Sequence, residues 1–207
     1  KYGSIPIINA LTDFAHPCQV LADLMTIRER KGALEGLKAC YIGDGNNMMH
    51  SIIVGCLKMG MSISVACPEG YRPDKEVLEF ASQYEGFEMT DSPATAAKDA
   101  DVLFTDVWAS MGQEGEAAER RKAFEGYQIN AELLAKTENP DVIVMHCLPA
   151  FHDLNTEIGQ EIYDKYGLAE LEITDEIFQK YSSIIFQEAE NRMHSIKAIM
   201  YNSLKAI

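Results

Sequence analysis

The chain of 207 residues carries a net charge of −14 at pH 7, with 47% hydrophobic and 24% charged residues. That balance is ordinary for a globular domain, and its excess of acid argues against nucleic acid or an anionic membrane surface as partner. No stretch approaches the roughly 18 consecutive apolar residues of a membrane span, no secretory signal is visible, and five cysteines (Cys18, Cys40, Cys56, Cys67, Cys147) without a C-x-x-C pair read as reduced thiols of a cytoplasmic protein.

Ile5–Ile8 is a short apolar run, expected to form an edge or entry strand. In the stretch H-P-C-Q-V-L-A-D that follows, Pro17 suits the first turn of a helix, Leu21, Leu24 and Ile27 supply its apolar stripe, and Gly32 ends it. His16 and Gln19 are three apart, so their polar tips share one face of the first turn. They either cap and solvate that helix or meet a carbonyl oxygen or phosphate at its positive end. Lys38–Ile42 reads as a buried strand running into G-D-G-N-N, with a helix to Met59 ended by Gly60. Gly43 and Gly45 match the first two glycines of a dinucleotide turn, but Met48 stands at the third. Glu69 could serve as a ribose-binding acid, which keeps a nicotinamide dehydrogenase in view. Asn46 and Asn47 fit a small zwitterion better, since an amide donates to a carboxylate and accepts from an ammonium.

Ser62–Ala66, Phe87–Thr90 and Asp101–Thr105 continue the strands, with helices at Lys75–Tyr84 and Ser92–Ala100 between them. Asp106, Trp108, Ser110 and Met111 follow the last of these strands. Gln113–Phe124, with its run E-G-E-A-A-E-R-R-K, reads as a solvated helical face without function, and Asn130–Lys136 as a further turn or two of helix. Val142–Met145 is an apolar run expected to be buried on both faces of a parallel sheet. It delivers His146, Cys147, Leu148 and Pro149 at its carboxyl end, where open α/β sheets bind ligands. One short helix is expected within His152–Leu171, another at Asp175–Lys180, a last strand at Ser183–Phe186, and a helix at Glu188–Leu204 with Arg192 in its first turn. The alternation predicts an α/β, doubly wound, mainly parallel sheet with helices on both faces, Rossmann-like.

Taken in order, H-P-C-Q, G-D-G-N-N, D-V-W-A-S-M-G-Q, H-C-L-P and E-N-R resemble the aspartate/ornithine carbamoyltransferase family, and S-M-G with H-C-L-P resembles its ornithine branch. The resemblance implies a cytoplasmic transferase of arginine metabolism. It would move the carbamoyl group of carbamoyl phosphate to the δ-amine of ornithine, giving citrulline and phosphate, with no metal and no cofactor. His16 and Gln19 would hold the carbamoyl group, Arg192 would polarise its carbonyl, and Cys147 and Leu148 would lie between the substrates. Asn47, Asp106, Ser110 and Met111 would bind the amino-acid end of ornithine, with Cys147 as a thiolate-capable group beside the amine.

The family's Ser-Thr-Arg-Thr phosphate loop does not occur in this sequence, and the chain opens at Lys1, as a fragment would. The expectation is one ornithine-binding domain over residues 1–207, inactive alone. Residues 16–32 and 188–207 would bridge to an N-terminal carbamoyl-phosphate domain, and the whole protein would be a homo-oligomer built on trimers. The alternatives are a family member acting on another amine, or an amino-acid-binding module without catalysis.

Overall fold

The computed structural model describes residue 5, residues 7–109 and residues 116–205. Five strands, β1 (Lys38–Ile42), β2 (Ser62–Ala66), β3 (Phe87–Thr90), β4 (Val102–Thr105) and β5 (Ile143–His146), form one all-parallel sheet in the order β3-β2-β1-β4-β5. The chain winds outward from β1 in both directions, so the switch point lies between β1 and β4, the crevice where such sheets receive ligands.

The helices are α1 (Pro17–Lys31), α2 (Asn47–Lys58), α3 (Lys75–Ala81), α4 (Pro93–Ala97), α5 (Ala117–Ala123), α6 (Ala131–Lys136), α7 (Glu157–Tyr166) and α8 (Asp175–Lys205). Their ends are written in the local sequence. Pro17 opens α1, and Gly32, at φ 83°, closes it by donating its N–H to the Arg28 carbonyl. Side-chain oxygens of Asn46, Asp74, Ser92, Asn130 and Thr156 accept the free N–H groups of the helices that follow them.

Period-2 alternation divides the core. Ala39, Tyr41, Val102, Phe104, Ile143 and Met145 face α1, α2 and α3. Cys40, Ile42, Leu103 and Val144 face α4, α6 and the first half of α8. Both faces of the sheet are thus covered, as an all-parallel sheet requires.

Two expectations fail. The described residues of Ile5–Ile8 form no strand: Ile7 is 83% exposed and nothing among the described residues pairs with its backbone. Ser183–Phe186 is not a strand either, and the two helices expected around it are one, α8. The β-branched pair Ile184–Ile185 mimics a buried strand. In fact Ile177, Phe178, Tyr181 and Ile185 recur at helical spacing on one core face, while Phe186 is 57% exposed. Tertiary packing against the sheet overrides the local β preference.

Candidate functional site

Three strand ends meet at the switch point. The turn after β1 carries Gly43, whose φ of 146° favours glycine, then Asp44, Gly45 and the cap residue Asn46. Asn46 spends its Oδ1 on the N–H groups of Met48 (3.0 Å) and Met49 (3.2 Å), which aims its amide nitrogen out of the turn. That nitrogen donates to Asp106 Oδ2 at 2.9 Å, just beyond β4. Asp106 Oδ1 accepts from the Val107 N–H (2.8 Å) and from the Cys147 thiol (3.3 Å), just beyond β5. A carboxylate, an amide and a thiol from three strand ends therefore form one cluster, with Asp106 itself buried.

The helical side of the crevice comes from α1 and α8. His16 Nδ1 lies 2.8 Å from the Ala10 carbonyl, so it carries the proton, and Nε2 is left as an acceptor 3.3 Å from Arg192 Nη1. Burial, and then the Arg192 charge, hold the imidazole below its usual titration range, hence neutral. Gln19 is buried, and its Oε1 accepts from the same Arg192 nitrogen. Two acceptors thus hold one guanidinium, and Arg192 is the cationic donor available to a carbonyl oxygen here.

The structure alters several sequence expectations. Cys147 is a thiol rather than a ready thiolate: burial, and then the charges of Asp106, Glu188 and Asp23, push it well above its ordinary range. His146 takes no part in the cluster with Asn46. Its Nε2 lies 3.1 Å from Glu172 Oε1, both side chains fully buried, while Glu172 also accepts from the Phe151 N–H at 2.7 Å. Burial disfavours the imidazolium, but the Glu172 hydrogen bond and charge outweigh it and raise the His146 pKa. Asn47 donates to the Thr12 carbonyl at 2.7 Å and so ties α2 to the segment before α1. Leu148 is 38% exposed at the rim, beside its cis peptide bond to Pro149. Ser110 and Met111 lie outside the described residues.

Sequence reading singled out both Asn46 and Asn47 but gave the site role to Asn47; it is Asn46 that reaches Asp106, and its position as an N-cap after a strand was the signal that could have told them apart. Arg120, in the run taken as solvated, is buried in an ion pair with Asp44 at 2.7 Å and donates to the Trp108 carbonyl at 3.2 Å. Its charge-run neighbours carry no sign of this, because burial was decided by the turn it packs against. Burial raises the Asp44 pKa, with Arg120 working against that rise.

The G-D-G turn is not laid out for a dinucleotide. A Cβ on Gly45 would meet the backbone of Arg72 and Pro73 at 2.4 Å, and Gly45 donates its N–H to the Tyr71 carbonyl at 2.9 Å. Backbone thus lies where a pyrophosphate would need to approach. The adjoining cleft, about 600 Å³ in volume, is bordered by Asp13, Asp44, Glu69, Glu116 and Glu119 against Arg72 and Arg120, a poor field for phosphates. Ligand atoms of Asp106, His146 and Cys147 lie within 4.8 Å of one another, as do those of His152, Asp153 and Asp175. In the first group each is engaged within the protein.

The fold and this site define an α/β domain that gathers a carboxylate, an amide, a thiol and a guanidinium at the switch point of a parallel sheet. Comparison with known proteins sharpens that class. The family model described as "Aspartate/ornithine carbamoyltransferase, Asp/Orn binding domain" matches residues 35–203, and that of the family's carbamoyl-P binding domain matches residues 1–29. The chain belongs to the aspartate/ornithine carbamoyltransferase family. It is 47% identical over 211 residues to an ornithine carbamoyltransferase of Streptococcus mutans, covering 100% of this chain and 64% of that protein. It is 48% identical over 205 residues to one of Thermococcus kodakarensis, covering 97% of this chain and 59% of that one. Among solved structures, ornithine carbamoyltransferase from Pyrococcus furiosus aligns with a TM-score of 0.82 at 45% identity, over 96% of this chain and 59% of that one. The anabolic enzyme of Campylobacter jejuni aligns with 0.85 at 34% identity, over 100% and 64%. The chain spans about three-fifths of the length of the curated relatives it matches. With the geometry at Gly45, this membership removes the dehydrogenase reading.

Proposed function

We propose that this chain is the ornithine-binding part of an ornithine carbamoyltransferase, a cytoplasmic enzyme of arginine metabolism built on trimers. Residues 1–207 act as one domain, with residues 16–32 and 188–207 bridging to a carbamoyl-phosphate domain. The exposed apolar side chains of Leu21 on α1 and of Met193, Met200 and Leu204 on α8 support such a bridge. The observation that carries the reading is the Asn46–Asp106–Cys147 cluster at the switch point, flanked by the Arg192 guanidinium.

Asp106 takes the α-ammonium of ornithine, with Asn47, Ser110 and Met111 completing the amino-acid end. The δ-amine, with a solution pKa near ~10.4 like that of Lys, must be neutral to attack. Cys147, a thiol in a ring of acceptors, offers a sulfur lone pair to an amine hydrogen and keeps a charged nucleophile out of the site. Attack forms the N–C bond at the carbamoyl carbon. The developing oxyanion is met by Arg192, whose guanidinium His16 Nε2 orients beside the carbamoyl group, while Gln19 Oε1 accepts from the carbamoyl NH₂. The C–O bond to phosphate then breaks, phosphate keeping the electron pair and accepting the proton shed by the amine. Leu148 at the rim packs over the joined substrates.

The complete polypeptide should form citrulline from ornithine and carbamoyl phosphate. The 207-residue chain alone should not, because the described residues offer no cradle of arginines for a phosphate and the net charge is −14. A complete polypeptide that consumes carbamoyl phosphate only with another amine, or binds ornithine without turnover, would overturn the reading.

A further inference from the structure

Behind Gln19 lie two carboxyl groups that the chemistry above does not use. Asp23 stands one turn further along α1 and Glu188 projects from α8, each only 1% exposed. The Gln19 amide sits between them: Nε2 donates to Asp23 Oδ1 at 2.7 Å and to Glu188 Oε1 at 3.0 Å, while Oε1 accepts from Arg192. Glu188 Oε2 accepts the backbone N–H of His146 at 3.1 Å, one residue before Cys147. A single carboxyl group therefore joins α1, α8 and the end of β5. With Nε2 hydrogens spent inward, the amide oxygen must face outward, and Arg192 uses only one of its two lone pairs.

We propose that Asp23 and Glu188 are positioning residues, which lock the Gln19 amide with its oxygen toward the site so that it accepts an N–H of the carbamoyl group. The proposal rests on the carbamoyltransferase reading and names how its donor-acceptor pattern is set. The same lock ties Gln19 to the strand end that carries Cys147, so both substrates' subsites share one internal brace.

Two carboxylates this close do not both ionise readily. Burial dominates, and Asp23 is pushed up to about 7 and Glu188 well above its ordinary range. Asp23 Oδ2 finds no hydrogen-bond partner among the described residues. The groups around the pair are neutral His16 before α1, Tyr41 on β1, Cys56 on α2, Asp106 after β4, Cys147 after β5 and Arg192 on α8. Arg192 is the one cation among them, and it is held by Gln19 and His16 rather than by either acid. The pair thus keeps one proton near neutrality. Losing it places a second negative charge beneath Gln19, which draws Arg192 inward and weakens carbamoyl phosphate binding as pH rises.

The test uses Glu188→Gln, Asp23→Ala and Asp23→Asn in the complete polypeptide. Glu188→Gln sets an amide NH₂ against either Gln19 Nε2 or the His146 N–H, and Asp23→Ala removes an acceptor. Each should raise the KM for carbamoyl phosphate roughly 10–100-fold, with a smaller change for ornithine. Asp23→Asn keeps an acceptor for Gln19 and offers a donor to Glu188, so it should recover most of that loss and flatten the alkaline limb of the KM profile. Variants that lower the melting temperature yet leave the KM for carbamoyl phosphate unchanged would overturn the proposal, as would Asp23→Asn behaving like Asp23→Ala. Infrared difference spectra give a readout without turnover: a protonated carboxyl band in the parent, lost as pH rises and absent in Asp23→Asn. A parent without that band overturns the shared proton. A parent with the band but no citrulline formation overturns the functional reading while upholding the brace.

Discussion

His146 and Cys147 are neighbours at the end of β5, and the pleat sends them into two differently built environments. On the α4–α6 side, His146 and Glu172 pair with each other, fully buried, and the same Glu172 oxygen, Oε1, also accepts the Phe151 N–H. On the α1–α2 side, Cys147 meets Asp106, with Asp23 and Glu188 beneath and Arg192 as the only cation close by among the described residues. The first region satisfies its charges from within the protein. The second carries more negative than positive charge and is open at its rim, the arrangement that a cationic amine completes. Polar residues at a strand's carboxyl end thus divide into brace and site according to which face they enter.

The comparison breaks most visibly at Glu172. Replacing it by Leu strands His146 in the core, so stability should fall by about 3–5 kcal/mol while substrate saturation stays near the parent's. Denaturant midpoints and steady-state kinetics on one preparation check this, and lost ornithine affinity without destabilisation would erase the distinction. On the open side, Arg192→Gln should cut citrulline formation about 10²–10³-fold, as when a donor to an oxyanion is removed, with melting close to the parent's.

In the proposed complex, Asp106→Asn would remove a charge-assisted hydrogen bond to the substrate ammonium, worth about 1.5–3 kcal/mol. Ornithine titrations should show an affinity lower by roughly one to two decades, and unchanged saturation would take Asp106 out of the site.

A pH series sharpens the contrast with a smaller effect. The fold raises the Asp23 pKa from 3.8 to about 7, so the folded chain holds a proton that the unfolded chain has already released. The Asp23 contribution to stability therefore falls as pH rises from about 4 to about 7, and the raised Glu188 extends the loss to higher pH. The His146–Glu172 pair acts in the same sense. Its contribution is fully present below 6.5, the ordinary value for His146, and is lost as pH climbs through the raised folded value. Thermal melts between about pH 5 and pH 8 should show a declining Tm, and a rising one would contradict both assignments.

Much of this architecture is local in origin and was legible in the chain. Runs such as Lys38–Ile42 and Ser62–Ala66 announce themselves as buried strands because their period and their flanking glycines are properties of short segments. The same holds for the Pro17 start and Gly32 end of α1. The motif order was enough to bring His16, Gln19, Asp106, Cys147 and Arg192 to one crevice, since strand ends in a doubly wound sheet must point the same way. Ser183–Phe186 was misread because a short apolar run has no period of its own, and only packing on the sheet makes it a turn of α8. Which asparagine faces Asp106, whether Cys147 carries charge, and where Arg120 hides depend on residues 41 to 76 positions apart in sequence. Charge state and hydrogen-bond direction are set by desolvation and by the sum of neighbouring groups. Those quantities exist only once the tertiary structure has brought the groups together, which is why Asp23 and Glu188 look like two ordinary helix acids in the sequence and become a proton-sharing brace in the fold.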